Sequence, residues 1–414
     1  MVSSTADFHM ARCVQSVTFL FILCSASAAI EEELWANLQT AMTYFDNPFF
    51  KASSHDVSAK AQQFLGKESL SFVVSPLWLE LLLVTISLGT SGDTLRELNN
   101  GTFLNMSLKQ KEDILNYYMN QLSPGDQNLK LEIENMMFIR KDLQVMEHFN
   151  DVATNTFNMS INRLDFTNIT ESVETLNALV ASQNKRKMKE IFDEGDLDPA
   201  GTTIIFVNSV YYKNRWLYPP TVLNGTWDFI LGTDKVNHTK VKMYRVNGVM
   251  PYGYDKELDA QIVDIPFITP GISMVVFLPR EVGGLLPLEE KVMGHQDILA
   301  LAQNLTKPTP VAVSLPRFAL EMAVLLPGKL EKMGIKNMFT KEAQMDGMIL
   351  GGKNLPVSNA IQRIKLWADA GRGAFKDTGD EELPLAKEIV FANHPFFFII
   401  KMNNTSFMMG HFYI

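Results

Sequence analysis

His394-Pro395-Phe396-Phe397-Phe398-Ile399-Ile400 is the stretch on which the reading of the fold turns. It is a nearly continuous apolar run, the composition of a strand covered on both faces. Outward from it, Ile389 to Ile400, Val311 to Leu320, Ile262 to Leu278 and Gly201 to Tyr212 are rich in β-branched and aromatic residues, as buried strands are. Asn208 to Tyr212 alternates polar and apolar side chains, which predicts a strand covered on one face. Ser71 to Leu88 reads as a short strand, a Ser75-Pro76 break and a buried helix through Trp78, Leu82 and Ile86. Glu31 to Phe45 sets Leu34, Leu38 and Met42 four apart beside Trp35, the spacing of an amphipathic helix. Helical patterns dominate the first half and strands the second, and that segregation predicts an α+β fold.

The composition suits a globular chain. Of 414 residues, 46% are apolar and 20% charged, which excludes disorder, and no repeat or low-complexity linker divides the chain. The net charge of −9 argues against a nucleic-acid partner, because phosphate affinity needs clustered cations. The densest basic run, Lys185-Arg186-Lys187-Met188-Lys189, is read as a solvated helix end.

Arg12, the apolar stretch Val17 to Cys24 and the small residues Ser25-Ala26-Ser27-Ala28-Ala29 have the order of a secretory signal, so residues 1–29 are expected to be removed. Met1 and Met10 both stand as candidate starts. The apolar run is roughly half of what about 30 Å of hydrocarbon needs, so no retained membrane span is expected. Both cysteines, Cys13 and Cys24, fall inside that signal, which leaves residues 30–414 as one domain without disulfides. Asn-x-Ser/Thr sequons agree with secretion: Asn100, Asn105, Asn158, Asn168, Asn224, Asn237, Asn304, Asn403 and Asn404. No His-Glu-x-x-His, Cys-x-x-Cys or Gly-x-Ser-x-Gly occurs, and the histidines His55, His148, His238, His295, His394 and His411 are scattered singly. Neither catalysis nor a metal or cofactor is expected.

Four blocks together resemble the serpin family, in its order and spacing. Ser75-Pro76 with Ser87-Leu88-Gly89-Thr90-Ser91-Gly92-Asp93-Thr94 is similar to SP…LGAxGDT. Asn208 to Trp216 is similar to NAxYFKGxW. Ile265-Pro266-Phe267, Ser273 to Pro279 and Leu315-Pro316-Arg317-Phe318 form the third block, and His394 to Ile400 with Phe407-Met408-Met409-Gly410 the fourth. The resemblance implies helices on a large central, mostly antiparallel sheet, smaller sheets beside it, and an exposed reactive-centre loop near the C-terminus. It implies a monomer whose partner is an extracellular serine protease.

In that family a small, flexible hinge lets the cleaved loop insert into the central sheet as a new strand. Residues 368–390 hold the corresponding hinge and loop, and the hinge segment Gly371, Arg372, Gly373, Ala374, Phe375 and Lys376 leads to Asp377, Asp380, Glu381 and Glu382. Gly371 best matches the hinge glycine, with Gly373 as the alternative. In the Gly371 register the inward side chains include Arg372, Lys376, Asp380 and Glu382; the opposite register turns Phe375, Asp377 and Glu381 inward. Each register buries at least two charges, at several kcal/mol apiece, a sum comparable with a domain's roughly 5–15 kcal/mol of stability.

Other departures fall on the moving parts. Trp78 replaces the second Ser of S-P-x-S, and the family's His-Lys pair reads Gln362-Arg363 or Ile361-Gln362. The TxGKI segment reads Asn184-Lys185-Arg186-Lys187-Met188, without its glycine. The expectation is a secreted, non-inhibitory or substrate-like serpin. The alternative is a working suicide inhibitor, cleaved at a bond among Pro384, Leu385, Ala386 and Lys387: after Leu385 by a chymotrypsin-like or elastase-like protease, after Lys387 by a trypsin-like one.

Overall fold

The computed structural model describes residues 40–54, 71–121, 128–183, 192–231, 238–368 and 385–414. Helix α1 runs through residues 40–54, so only the end of the helix expected from Glu31 falls within the described residues, as does none of the expected signal. The next elements are β1 (Phe72–Val74), α2 (Pro76–Leu88), α3 (Gly92–Gly101) and α4 (Leu108–Gln121). Pro76 opens α2 at a position where its missing N–H costs nothing, and the helix ends at Gly89. All thirteen residues of α2 are buried, because it touches α3, α4 and strands of both large sheets.

The five-stranded sheet takes β2 (Lys130–Arg140), β3 (Met159–Leu164), β4 (Ile204–Lys213), β12 (Phe318–Leu325) and β13 (Val357–Ala368), in the order β12-β13-β4-β2-β3. Short helix α5 (Glu147–Asp151) and α6 (Ile169–Gln183) fall between its first strands in sequence. Leu176 and Val180 of α6 cover Phe138, Ile205, Val207 and Ile361 on the outer face of this sheet. The opposite face packs on the main core. β4 is therefore buried on both faces: Asn208 and Ser209 are 0% and 1% exposed. The alternation in Asn208–Tyr212 had suggested one covered face. The polar side chains mark hydrogen bonding inside the protein instead of contact with water.

The nine-stranded sheet runs β1-β16-β15-β10-β9-β8-β11-β14, with β5 paired to β8. Its strands are β5 (Thr221–Val222), β8 (Met243–Asp255), β9 (Ala260–Pro266), β10 (Ile272–Pro279), β11 (Lys307–Pro316), β14 (Glu388–Phe391), β15 (Phe396–Met402) and β16 (Thr405–Phe412). A small ribbon, β6 (Trp227–Ile230) with β7 (His238–Val241), and helices α7 (Leu285–Met293), α8 (Ile298–Leu305) and α9 (Pro327–Lys332) complete the described fold. Phe396 to Ile400 are each 0% exposed, as the apolar run requires. Gly410 is dictated by a close approach: a Cβ there would sit 2.4 Å from the carbonyl oxygen of Phe72. The architecture is the expected α+β one, with helices packed on mostly antiparallel sheets.

One local conformation runs against its residue. After α3, the Phe103 N–H bonds to the carbonyl of Asn100 (3.3 Å) and the Leu104 N–H to that of Asn99 (3.0 Å). This is a Schellman ending whose left-handed position usually holds glycine. Here it holds Phe103, at φ +56°, a conformation that costs an L-residue about 1–2 kcal/mol.

Candidate functional site

The middle of the five-stranded sheet is a parallel seam. β13 and β4 pair from Val357–Ile204 to Trp367–Lys213, while both outer neighbours, β12 and β2, are antiparallel to them. A strand entering between β4 and β13, antiparallel to each, would replace one parallel pairing by two antiparallel ones, which are slightly more stable per residue. β13 ends at Ala368, one residue past the Trp367–Lys213 pair at one end of this seam.

Side chains close the seam on both faces. On the inner face, Gln362 of β13 and Asn208 of β4 are each 0% exposed. Gln362 Nε2 donates across the seam to Asn208 Oδ1 (2.9 Å) and to the carbonyl of Ser75 (2.8 Å), and Gln362 Oε1 accepts from the Ser75 N–H (2.9 Å). The chain continues from Asn208 Nδ2 to Asn135 Oδ1 (2.7 Å) and from Asn135 Nδ2 to the carbonyl of Phe157 (3.2 Å). Ser75 Oγ donates to the carbonyl of Phe407 (2.7 Å), tying the break before α2 to β16. Three strands, the start of a helix and the larger sheet thus meet in one buried network. Above it, Ile364, Leu366, Val210 and Tyr212 make the inner wall apolar.

The outer face carries charge. Arg363 is 3% exposed; its Nη2 lies 3.1 Å from Glu321 Oε1, and Lys365 Nζ lies 3.1 Å from Glu321 Oε2. Burial pulls the Arg363 guanidinium below its usual range, and the Glu321 carboxylate opposes that shift. At the end of the seam next to residue 368, Lys213 Nζ sits 5.4 Å from the ring centroid of its cross-seam partner Trp367, within cation–π range.

The sequence had left open whether Gln362-Arg363 or Ile361-Gln362 stands at the His-Lys position. The structure separates the roles instead: Gln362 faces the hub, while Arg363 and Ile361 face outward. Where the family keeps histidine, the Gln362 amide holds Ser75 with both of its ends and Asn208 with its nitrogen. Neither Asn135 nor this hub was visible beforehand. The buried polar positions Ser75, Asn135 and Asn208 inside strand-like segments were the available signal.

The second half of the site is the segment entering β14. Leu385 is 93% exposed, and Ala386 and Lys387 are exposed too. The Lys387 N–H already donates to the carbonyl of Pro310 (2.8 Å), which anchors that residue beside β11. A protease needs free, extended backbone, so the bond after Leu385 is more available than the bond after Lys387. The hinge Gly371, Arg372, Gly373, Ala374, Phe375 and Lys376, the acids Asp377, Asp380, Glu381 and Glu382, and Pro384 lie outside the described residues. So does Asn237; the other sequon asparagines, Asn100, Asn105, Asn158, Asn168, Asn224, Asn304, Asn403 and Asn404, are all exposed.

Two of the single histidines are structural. His394 Nε2 bonds to the carbonyl of Pro279 (2.8 Å), and burial lowers its pKa. His411 Nδ1 lies 2.7 Å from Glu289 in the core. Among the described residues no group of His, Cys, Asp and Glu is placed to hold a metal, and no helix is long and apolar enough to cross a membrane.

Comparison with known proteins bears on this geometry. The family model described as serpin (serine protease inhibitor) matches residues 52–413. Serine protease inhibitor 42Dd of Drosophila melanogaster is 27% identical over 368 residues, covering 85% of this chain and 94% of that protein. The crystal structure of Serpin48 from the insect Tenebrio molitor superposes with a TM-score of 0.77 at 22% identity, covering 91% of this chain and 98% of that one. Uncleaved ovalbumin gives a TM-score of 0.76 at 18% identity, over 91% and 99% of the two chains.

Proposed function

The chain belongs to the serpin family, a class of protease inhibitors without catalysis of their own, and from that premise we propose that it is a secreted, N-glycosylated member cleaved as a substrate by an extracellular serine protease. The observation that carries this reading is the inner wall of the β4–β13 seam. An inserted strand must place every second side chain among Ile364, Leu366, Val210, Tyr212 and the Gln362–Asn208 hub, all at most 1% exposed. The segment after β13 offers that wall Arg372, Lys376, Asp380 and Glu382, or Asp377 and Glu381, and burial of unpaired charge is opposed by several kcal/mol each. Hydrolysis of the acyl-enzyme then outruns insertion. The exposed asparagines support glycosylation, and the signal-like N-terminus supports secretion.

A suicide inhibitor is the second reading, and the parallel seam favours it, since insertion there gains antiparallel pairing. One assay separates the two. Incubated with chymotrypsin, elastase and trypsin, the protein should be nicked fastest at Leu385-Ala386 by chymotrypsin. A denaturing gel should show no band at the summed mass, and the nicked protein should melt near the temperature of the intact one. A covalent complex, or a melting temperature raised by tens of degrees on cleavage, overturns the substrate reading.

A further inference from the structure

The αL position after α3, held by Phe103, does not itself call for phenylalanine. The helix ending it occupies is better served by glycine, and its ring is 48% exposed, so the core gains little from it. A bulky residue held in this conformation on the surface points to something that covers it. The ring is not alone. Tyr44 of α1, itself 41% exposed, lies 5.3 Å away between centroids at an interplanar angle of 32°. Two elements distant in sequence thus join their aromatic faces at the surface instead of dispersing them.

Two residues beyond Phe103 stands the sequon Asn105-Met106-Ser107. Leu104, between them, is 0% exposed, so the chain turns Leu104 inward and leaves both Phe103 and Asn105 outside. We propose that the Phe103–Tyr44 pair is the seat for an N-glycan on Asn105, with the C–H face of the first N-acetylglucosamine lying on the aromatic rings. The proposal rests on the reading of the chain as a glycosylated secretory protein. Attachment joins the sugar's anomeric carbon to Asn105 Nδ2; the lipid diphosphate donor departs and the amide loses one proton. The axial C–H groups of the pyranose then meet the electron-rich ring face, which favours positively polarised partners. Covering the rings also removes an exposed apolar patch.

The full chain, secreted from a eukaryotic cell, tests this with Asn105→Gln, with Phe103→Ala and Phe103→Gly each alone and combined with it, and with Asn100→Gln as the neighbouring-sequon control. Mass spectrometry of the Asn105 peptide should show an occupied site. Asn105→Gln should lower the apparent melting temperature by about 1–3 °C in the wild-type background and leave it unchanged in Phe103→Ala. Trimming the glycan to a single sugar should preserve the effect. Phe103→Gly relieves the backbone strain and should still abolish the Asn105 shift, so the result does not depend on how well the alanine variant folds. Glycans at other sequons with Asn105 empty would sink the seat and leave the secretory reading standing. Sequons that are all empty would sink both. Equal shifts with and without Phe103, or a Phe103-dependent shift at Asn100 instead, would also overturn it.

Discussion

Gln362→Ala is expected to lower the unfolding free energy by about 3–5 kcal/mol, the largest loss of any single substitution at the seam. The side-chain amide makes three hydrogen bonds, and its partners are buried with it: the Ser75 N–H, the Ser75 carbonyl and Asn208 Oδ1. Alanine leaves the Ser75 N–H and Asn208 Oδ1 unpaired where Gln362, Asn208 and Ser75 are all 0% exposed, while the Ser75 carbonyl keeps the Leu79 N–H (3.2 Å); an unpaired buried group costs about 1–3 kcal/mol. Leucine, which fills the space but cannot donate or accept, should cost nearly as much as alanine. Histidine, the residue the family usually keeps near this position, can still both donate and accept, so Gln362→His should cost less. Urea unfolding followed by far-UV circular dichroism measures all three. An alanine variant within about 1 kcal/mol of the parent would mean that water replaces the amide, and the hub would lose its assigned role.

The second large effect lies beneath α1. Glu80, on the fully buried α2, is 0% exposed, and neither carboxyl oxygen has a hydrogen-bond partner among the described residues. Burial drives its pKa well above the ordinary carboxylate range, and the nearby Asp46 pushes it further. Asp46, on α1, is raised to about 8, first by burial; a hydrogen bond from Ser406 opposes the shift, and Asp297, which caps α8, adds to it. Tyr118 of α4 completes the surroundings: its hydroxyl meets Met42 Sδ at 3.1 Å, and its own pKa is raised, mainly by burial.

The sign follows from which state holds the protons. Between the unfolded values, 3.8 and 4.5, and the raised folded values, the native state binds protons that the unfolded chain has released. The contribution of this pair to stability therefore falls as pH rises from about 4 toward 8. Glu80→Leu removes one of the two groups and replaces it with a side chain suited to the site. It should stabilise the protein by about 1–4 kcal/mol at pH 8, with a much smaller gain at pH 5, where Glu80 is already neutral in the parent. Denaturation midpoints of parent and variant across that range check it. A gain of the same size at both pH values would show that packing, not ionisation, is responsible.

The sequence by itself determined the strands and the fold, because strand burial is written locally. Phe396 to Ile400 is apolar at every position and is buried at every position, and Pro76 opens α2 as its missing N–H and fixed φ allow. The family resemblance rested on those same local blocks. Tertiary structure alone decided what the polar residues do. Gln362 meets Ser75 across 287 positions and Asn208 across 154, and that pairing exists only because sheet register sets β13 beside β4. The raised pKa of buried Glu80 depends in part on Asp46 of α1, and Phe103 meets Tyr44 of the same helix. A hydrogen bond or a desolvated charge depends on neighbours distant in sequence, so its energy has no local spelling.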